Sequence, residues 1–401
     1  MTGDDTPVVI AARRTPIGTA GGALRALTVD ELAAPVLAAL VAGVDTPPGR
    51  SAAPAPGEPL DGTGGDRSGR PGSGRTTPGI GIDDVLLGNV FGPGGNPARV
   101  AALRAGLGDR VPGTTLDRQC ASGLTAIIAA ATAIRAGEGS AYLAGGVESP
   151  STAPVRLRPD GTPYTRAPFT PAGWPDPDMG PAADTVAARA GVSRERQDAF
   201  AARSHARAVA AQRAGRFAAE IVEVDGVTTD ERPRDRFTVQ RLARFRPAFT
   251  PDGTATAANS CGVNDGAAAV LVVPERRRRE LRLPGLALEA AATRGCDPAL
   301  LGLGAVPALR ALPGPAPDAV EFTEAFAGQV LACLDAVGID ERTVSPDGGA
   351  LALGHPWGAS GAVLVVRLFH RLVVQGHGET GLAALSSGGG LGVATRWRVV
   401  R

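Results

Sequence analysis

The sequence contains no lysine. All 41 of its Lys+Arg residues are arginine, set against 40 Asp+Glu, for a formal net charge of +1. A balance this even argues against a nucleic-acid partner and against a membrane-surface partner. Paired arginines among so much Ala, Gly and Pro read as a solvated face. Cysteine is scarce as well. Cys120, Cys261, Cys296 and Cys333 have the spacing of neither a metal site nor a disulfide framework. No metal is expected, and the four read as reduced thiols of a cytoplasmic protein. The N-terminal Met1-Thr2-Gly3-Asp4-Asp5 is acidic, and no apolar signal core follows it. The most apolar late run, Ala362 to Val374, is broken by Arg367 and Arg371 and reads as a buried helix rather than a membrane span. With only four histidines, the candidates for an imidazole base are His205, His355, His370 and His377.

The chain has 401 residues, 43% of them hydrophobic, which is enough for two domains or one duplicated unit. Pro7 to Ala11 reads as a first strand, and Thr28 offers an N-cap for a helix over about Val29 to Val41. From about residue 45 to 80 the composition turns to Gly, Pro, Ser, Thr and Arg. Such a stretch buries too little surface to offset its ordering entropy, and a mobile surface insertion is expected. Further on, strands are expected over Asp84 to Phe91, Ala141 to Ala144, Ile221 to Val224, Ala267 to Val273 and Leu286 to Thr293. Helices are expected over Asn96 to Ala105, Ala182 to Gly191 and Ser193 to Arg216.

Asp117-Arg118-Gln119-Cys120-Ala121-Ser122-Gly123 places a thiol just before a small-residue turn, with an apolar helix pattern following from Leu124 to Ile134. The unpaired N–H groups and partial positive charge of a helix start push such a thiol toward thiolate. The plainer alternative is a small buried residue at a turn. The pattern then repeats. Ala121-Ser122-Gly123 opens a helix, and a strand ends at Gly145-Gly146. Ala359-Ser360-Gly361 opens a helix over about Ala362 to Val374, and Leu382 to Leu385 leads to Gly388-Gly389-Gly390. A duplicated α/β unit would bring both turns to one side of a shared sheet, where such folds bind ligands. Cys120 precedes one turn and His355, within Gly354-His355-Pro356, precedes the other. The other three histidines lie in helices or a loop. Cys120 and His355 are therefore candidates for an activated thiol nucleophile and its base.

At this point the residues resemble the thiolase family over nearly the full length, the low-complexity stretch excepted. The resemblance is carried by Arg14-Thr15-Pro16-Ile17-Gly18, Asn96-Pro97-Ala98-Arg99, Arg118 through Gly123, Gly145 through Ser149, Met179-Gly180, Gln197-Asp198, Phe217 through Val222, Asn259 through Gly266 and Gly348 through Gly361. It implies an α/β thiolase fold with two similar halves, a five-layered αβαβα arrangement and an inserted loop domain. The implied division is residues 1–150 for the N-terminal half, 151–249 for the loop domain, 250–275 for a return strand and 276–401 for the C-terminal half. It also implies a ping-pong enzyme, a homodimer or homotetramer, whose substrate is an acyl-CoA and which needs no other cofactor. Cys120 would take the acyl group with help from His355, and the backbone N–H groups of Cys120 and Gly388 would hold the oxyanion. Met179, Cys261, Glu324 and Phe326 would face the substrate and its CoA arm.

Two positions depart from the family. Where it usually has a second cysteine before the glycine triplet, this chain has Ser386. Where it has Asn-Glu-Ala-Phe, this chain has Thr323-Glu324-Ala325-Phe326. Serine is a far weaker acid than a thiol of pKa about 8.5, and losing a positioned acid–base group costs about 10²- to 10⁴-fold. A lost oxyanion donor costs about 10²- to 10³-fold. Both changes fall on the carbon–carbon step. The expected reaction is acyl transfer to a carbon nucleophile. The alternatives are a decarboxylating synthase using a malonyl-type thioester, an amine or alcohol acceptor, and a non-catalytic acyl-CoA binder. Cys261 stands where a serine is common, and Trp357 is bulkier than the usual aliphatic residue after His-Pro.

Overall fold

The computed structural model describes residues 3–45 and 80–401. The insertion expected at about 45 to 80 thus lies outside the described residues, apart from its two end positions. The described chain builds a ten-stranded mixed sheet. Its order is Ala319–Phe322, Thr380–Ser387, Leu391–Val400, Gly285–Gly295, Pro7–Arg14, Asn264–Pro274, Tyr142–Glu148, Asp84–Gly88 and Gly113–Leu116, with the two-residue strand Gly18–Thr19 paired to Asn264–Pro274. At the middle, Pro7–Arg14 and Gly285–Gly295 are joined only through Val8–Ala287 and Val9–Leu286. On either side of that narrow join the order repeats: an antiparallel strand, then the strand that follows the long apolar helix, then a parallel neighbour.

Strand alternation sorts the core into layers. Val9, Ala12, Tyr142, Ala144, Val270, Ala383 and Leu385 face an inner cluster with Leu124, Ile127, Ile134, Val365 and Leu368. Val8, Ile10, Leu143 and Leu271 face a second cluster with Leu32, Leu37, Ala98 and Ala101. Val320, Phe322, Leu382 and Ala384 face a third with Val306, Leu309, Val330 and Leu334. Helices thus cover both outer faces and fill the middle, giving the five layers expected.

The middle layer consists of the helices Ser122–Ala136 and Trp357–Phe369. In the first, Leu124, Ile127, Ala131 and Ile134 fall at helical spacing, and Gly137 ends it in the left-handed region at φ 78°. Segments Gln119–Ala136 and Trp357–Val374 are long and apolar enough to cross a membrane by composition, and the reason here is burial in the inner layer between the two halves of the sheet. The second helix closes on a π-helical turn, His370–Val374. At the start of helix Val29–Asp45, Thr28 donates both its backbone N–H and its hydroxyl to the Glu31 carboxylate, the carboxylate half of a capping box. The strand expected at Ile221 to Val224 is reduced to two isolated bridges, Arg14 with Ile221 and Val224 with Val227.

A buried ionic network ties the layers together. Arg14 donates to Glu220 Oε1 at 2.8 Å and to both Asp230 oxygens at 2.6 and 2.9 Å. Arg367 donates to Glu220 as well, and to Asp347 Oδ2 at 2.8 Å. Burial alone would raise the Glu220 carboxyl, but Arg367 and Arg14 hold it below its ordinary range. Its contribution is therefore present above the ordinary carboxylate pKa and is lost as the pH falls through the lowered one. Glu220→Gln leaves two buried guanidinium groups short of charge and is expected to cost about 3–5 kcal/mol in denaturant unfolding at neutral pH. A change under 1 kcal/mol would contradict this.

Candidate active site

The start of helix Ser122–Ala136 crosses the start of Trp357–Phe369 at glycine. A Cβ on Gly123 would come within 2.6 Å of the Gly358 carbonyl oxygen, and one on Gly361 within 2.6 Å of the Leu124 nitrogen. The repeated Ala-Ser-Gly is thus a steric requirement: any larger side chain would push the two helix starts apart. Because Cys120 and His355 each lie three residues before one of these contact points, the crossing brings their turns together.

The Cys120 turn is fixed on both sides. Gln119 takes a positive φ of 52°, uncommon for a non-glycine residue. Ser122 Oγ accepts from the Arg118 N–H at 2.8 Å and donates to the Gln119 carbonyl at 2.6 Å. Ser387, from the other half of the sheet, donates to the Arg118 carbonyl at 2.9 Å. The next residue is Gly388, where a Cβ would meet the Phe169 ring at 2.8 Å. Phe169 is held by the Arg166 guanidinium 4.4 Å over its ring.

Cys120 does not behave as a thiol at a helix start alone would. Burial, then nearby Cys261 and Glu148, push it up to about 12. The helix N-terminus is a local influence, and here desolvation outweighs it. Cys261 is likewise raised by burial to about 12, against the opposing charge of Arg232. Cys261 donates its backbone N–H to the Ala325 carbonyl at 2.9 Å, and Ser260 bridges Phe326.

His355 is 3% exposed, and burial lowers it to about 4, so its ring is neutral at pH 7. Its backbone N–H donates to Asn264 Oδ1 at 3.0 Å, and Nδ1 lies 2.6 Å from Ser360 Oγ. Of the others, His205 is a core residue whose Nδ1 accepts from the Arg234 N–H at 3.2 Å, and His370 Nε2 lies 2.9 Å from the Ala12 carbonyl. Glu148 joins the start of helix Trp357–Phe369 to the segment after strand Asp84–Gly88. Its buried carboxyl accepts from the Gly358 and Phe91 N–H groups, each at 2.9 Å, and burial raises it to about 7.

The remaining sites expected from sequence divide. Gly180, beside Met179, lies under the Phe249 ring, which meets Phe326 with centroids 5.7 Å apart. Ser386 is partly exposed, but its hydroxyl donates to the Gly302 carbonyl at 2.7 Å and accepts from the Ala305 N–H at 2.9 Å and Gln329 Nε2 at 3.3 Å. Thr323 is buried, and its Oγ1 has no partner among the described residues. Glu324 is buried, accepting from Ser204 Oγ at 2.6 Å and the Leu351 N–H at 3.3 Å, so it braces the segment before His355. Trp357 packs on Phe91 with centroids 4.7 Å apart. Sequence reasoning did not single out Glu148, Ser360, Ser387 or Phe169. Ser360 was the most accessible of these, because it sits inside the repeated Ala-Ser-Gly. Among the described residues, no cluster of three or more His, Cys, Asp or Glu side chains could hold a metal ion.

Comparison with known proteins identifies the family. Residues 77–276 match the thiolase N-terminal domain and residues 284–398 the thiolase C-terminal domain. An acetyl-CoA acetyltransferase of Pseudomonas aeruginosa is 39% identical over 96% of this chain and 98% of its own length. One from Chromobacterium violaceum is 39% identical over 96% and 97%. The crystal structure of the Bacillus anthracis acetyl-CoA acetyltransferase superposes with a TM-score of 0.84 at 33% identity, covering 98% of this chain and 99% of that one. With both domain types matched in order and full-length relatives at this identity, the chain belongs to the thiolase family and is an acyl-CoA-dependent acyltransferase.

Proposed function

We propose that Cys120 accepts an acyl group from an acyl-CoA thioester and passes it to a carbon nucleophile. The observation that carries this reading is the glycine crossing that sets the Cys120 and His355 turns side by side. His355 Nε2 takes the thiol proton as sulfur attacks the thioester carbonyl. The carbon–sulfur bond to CoA then breaks, and the proton goes to the departing thiolate. The Cys120 and Gly388 N–H groups hold the transient oxyanion. An open basin of about 620 Å³ lined by Thr238, Gln240, Arg241, Arg244, Phe245 and Arg246 supports a CoA reading, since its guanidinium groups suit phosphates. A homodimer or homotetramer suits the edge strand Gly113–Leu116, unpaired on its outer side among the described residues and near exposed Val100 and Leu103.

A second reading is favoured by the Ser386 hydrogen bonds. Its proton is committed to the Gly302 carbonyl, so abstraction from a second acyl-CoA has no ready base there. A malonyl-type thioester that loses CO₂, or an amine or alcohol, needs no such abstraction. Discharging the acyl-enzyme with acetyl-CoA, malonyl-CoA and simple amines in turn separates the readings. Discharge by acetyl-CoA alone supports the first, and discharge only by the others sinks it.

The lowered His355 gives a pH prediction. Its free base persists down to about pH 4, so the rate of Cys120 acylation is expected to stay level from about pH 8 down to about pH 5 and to fall below that. Rapid-quench acylation across this range checks it, and an acid limb centred near 6.5 would contradict it.

A further inference from the structure

Behind His355, under helix Trp357–Phe369, lies a cavity of about 20 Å³, room for one water molecule. Glu321, Thr323, Ser360 and Arg367 supply its polar lining, and each is at most 5% exposed. Glu321 Oε1, Thr323 Oγ1 and Arg367 Nε have no hydrogen-bond partner among the described residues. Buried polar atoms rarely stay unpaired, because each costs about 1–3 kcal/mol.

Hydrogen-bond counting links this cavity to the imidazole. The Ser360 Oγ–His355 Nδ1 contact at 2.6 Å has two possible proton arrangements. If Ser360 donates, the ring proton sits on Nε2 and the imidazole cannot take a proton from a thiol. If Nδ1–H donates, Nε2 is bare, but the Ser360 hydroxyl proton then needs an acceptor of its own. Ser360 Oγ has no other partner among the described residues, and it opens on the cavity. A water there would accept from Ser360 and from Arg367 Nε–H, and donate to Glu321 Oε1 and Thr323 Oγ1. All four of its hydrogen bonds would be used, and every orphaned atom would be paired.

We infer that this cavity is a water site, and that Glu321 is a positioning residue that acts through that water and Ser360 to hold the His355 proton on Nδ1. The inference rests on the reading of His355 as the base. Burial pushes the Glu321 carboxyl up to about 8, and in either protonation state it keeps an acceptor oxygen. Glutamine keeps that acceptor too, whereas leucine does not.

The test reads the tautomer directly. ¹⁵N-histidine NMR of the full chain, with His355 assigned by difference from His355→Gln, distinguishes a protonated Nδ1 from a protonated Nε2. The parent and Glu321→Gln are expected to carry Nδ1–H. Glu321→Leu is expected to move the proton to Nε2 and to slow Cys120 acylation roughly 10- to 100-fold, the usual cost of losing a group that orients another. Should Glu321→Leu fail to fold, Ser360→Ala removes the same relay and should give the same tautomer change. An Nε2–H in the parent, or an unmoved proton in the variant that folds, overturns the inference. Because no turnover is needed, failure of the proposed acyl transfer is seen separately, as absence of an acyl adduct on Cys120.

Discussion

Ser386→Cys is expected to raise acetyl-CoA self-condensation by about 10²- to 10⁴-fold, the range for restoring a positioned acid–base group. The parent hydroxyl has two handicaps. It is intrinsically a very weak acid, and its proton is already donated to the Gly302 carbonyl at 2.7 Å. A thiol in the same place hydrogen-bonds weakly and ionises near pH 8.5 in water. The Cys333 sulfur lies 3.9 Å from Ser386 Oγ, so the assay must be run with reductant to keep a new pair of thiols apart. The first half-reaction should be unchanged, because among the described residues Ser386 hydrogen-bonds to Gly302, Ala305, Gln329 and Cys333 and not to either turn that carries Cys120 or His355. Rapid condensation by parent and variant alike would show that Ser386 suffices. No condensation by either would point to an acceptor that needs no proton removed.

His355→Gln is expected to slow acylation of Cys120 by about 10²- to 10⁴-fold, again the range for a general base. The effect should be large because the one influence toward ionisation, the Cys120 backbone N–H, is outweighed. Burial, Cys261 and Glu148 all raise it, to about 12, so at pH 7 almost none of it is thiolate. A thiol activated only by a helix start would have been far less dependent on a base. Glutamine fills similar space and keeps a polar end, so the helix crossing at Gly123 and Gly358 should survive and the loss should appear in rate rather than folding. Single-turnover acylation with an acyl-CoA measures this, and a loss below tenfold would remove His355 from the base role.

Much of this arrangement was written locally in the chain. The Ala-Ser-Gly repeat located both turns, because a glycine contact at a helix crossing imposes the same small residues twice. The middle-layer helices were readable from apolar spacing, although Trp357–Phe369 begins five residues earlier than its apolar run suggested, at Trp357 rather than Ala362. Strand Leu391–Val400 was not anticipated. Its Arg396 and Arg398 interrupt the apolar pattern, and only the fold reveals their partners, the Pro315 carbonyl at 2.7 Å and Glu289 at 2.6 Å.

What the sequence could not carry was tertiary. The direction of the Cys120 shift depends on burial by distant segments, and it reversed the expectation from the helix start. Nothing local announces that the Glu324 carboxylate accepts from Ser204, 120 positions earlier in the chain. Phe169 sits in a Pro-rich stretch with no periodicity, and nothing there announces that its ring reaches Gly388 from more than two hundred residues away. Thr323 was recognisable as a departure, but the small cavity it lines exists only once its strand packs under the His355 helix.

The central claim, that Cys120 carries the acyl group, is tested most directly by intact-protein mass spectrometry of the full chain after mixing with short and medium acyl-CoAs. Cys120→Ala serves as control, and free-CoA release is followed in parallel. The account predicts a mass increase of one acyl group on the parent and none on the variant, mapped to the Cys120 peptide and discharged by an acceptor. No adduct and no CoA release from the parent, or an equal adduct on Cys120→Ala, would contradict it.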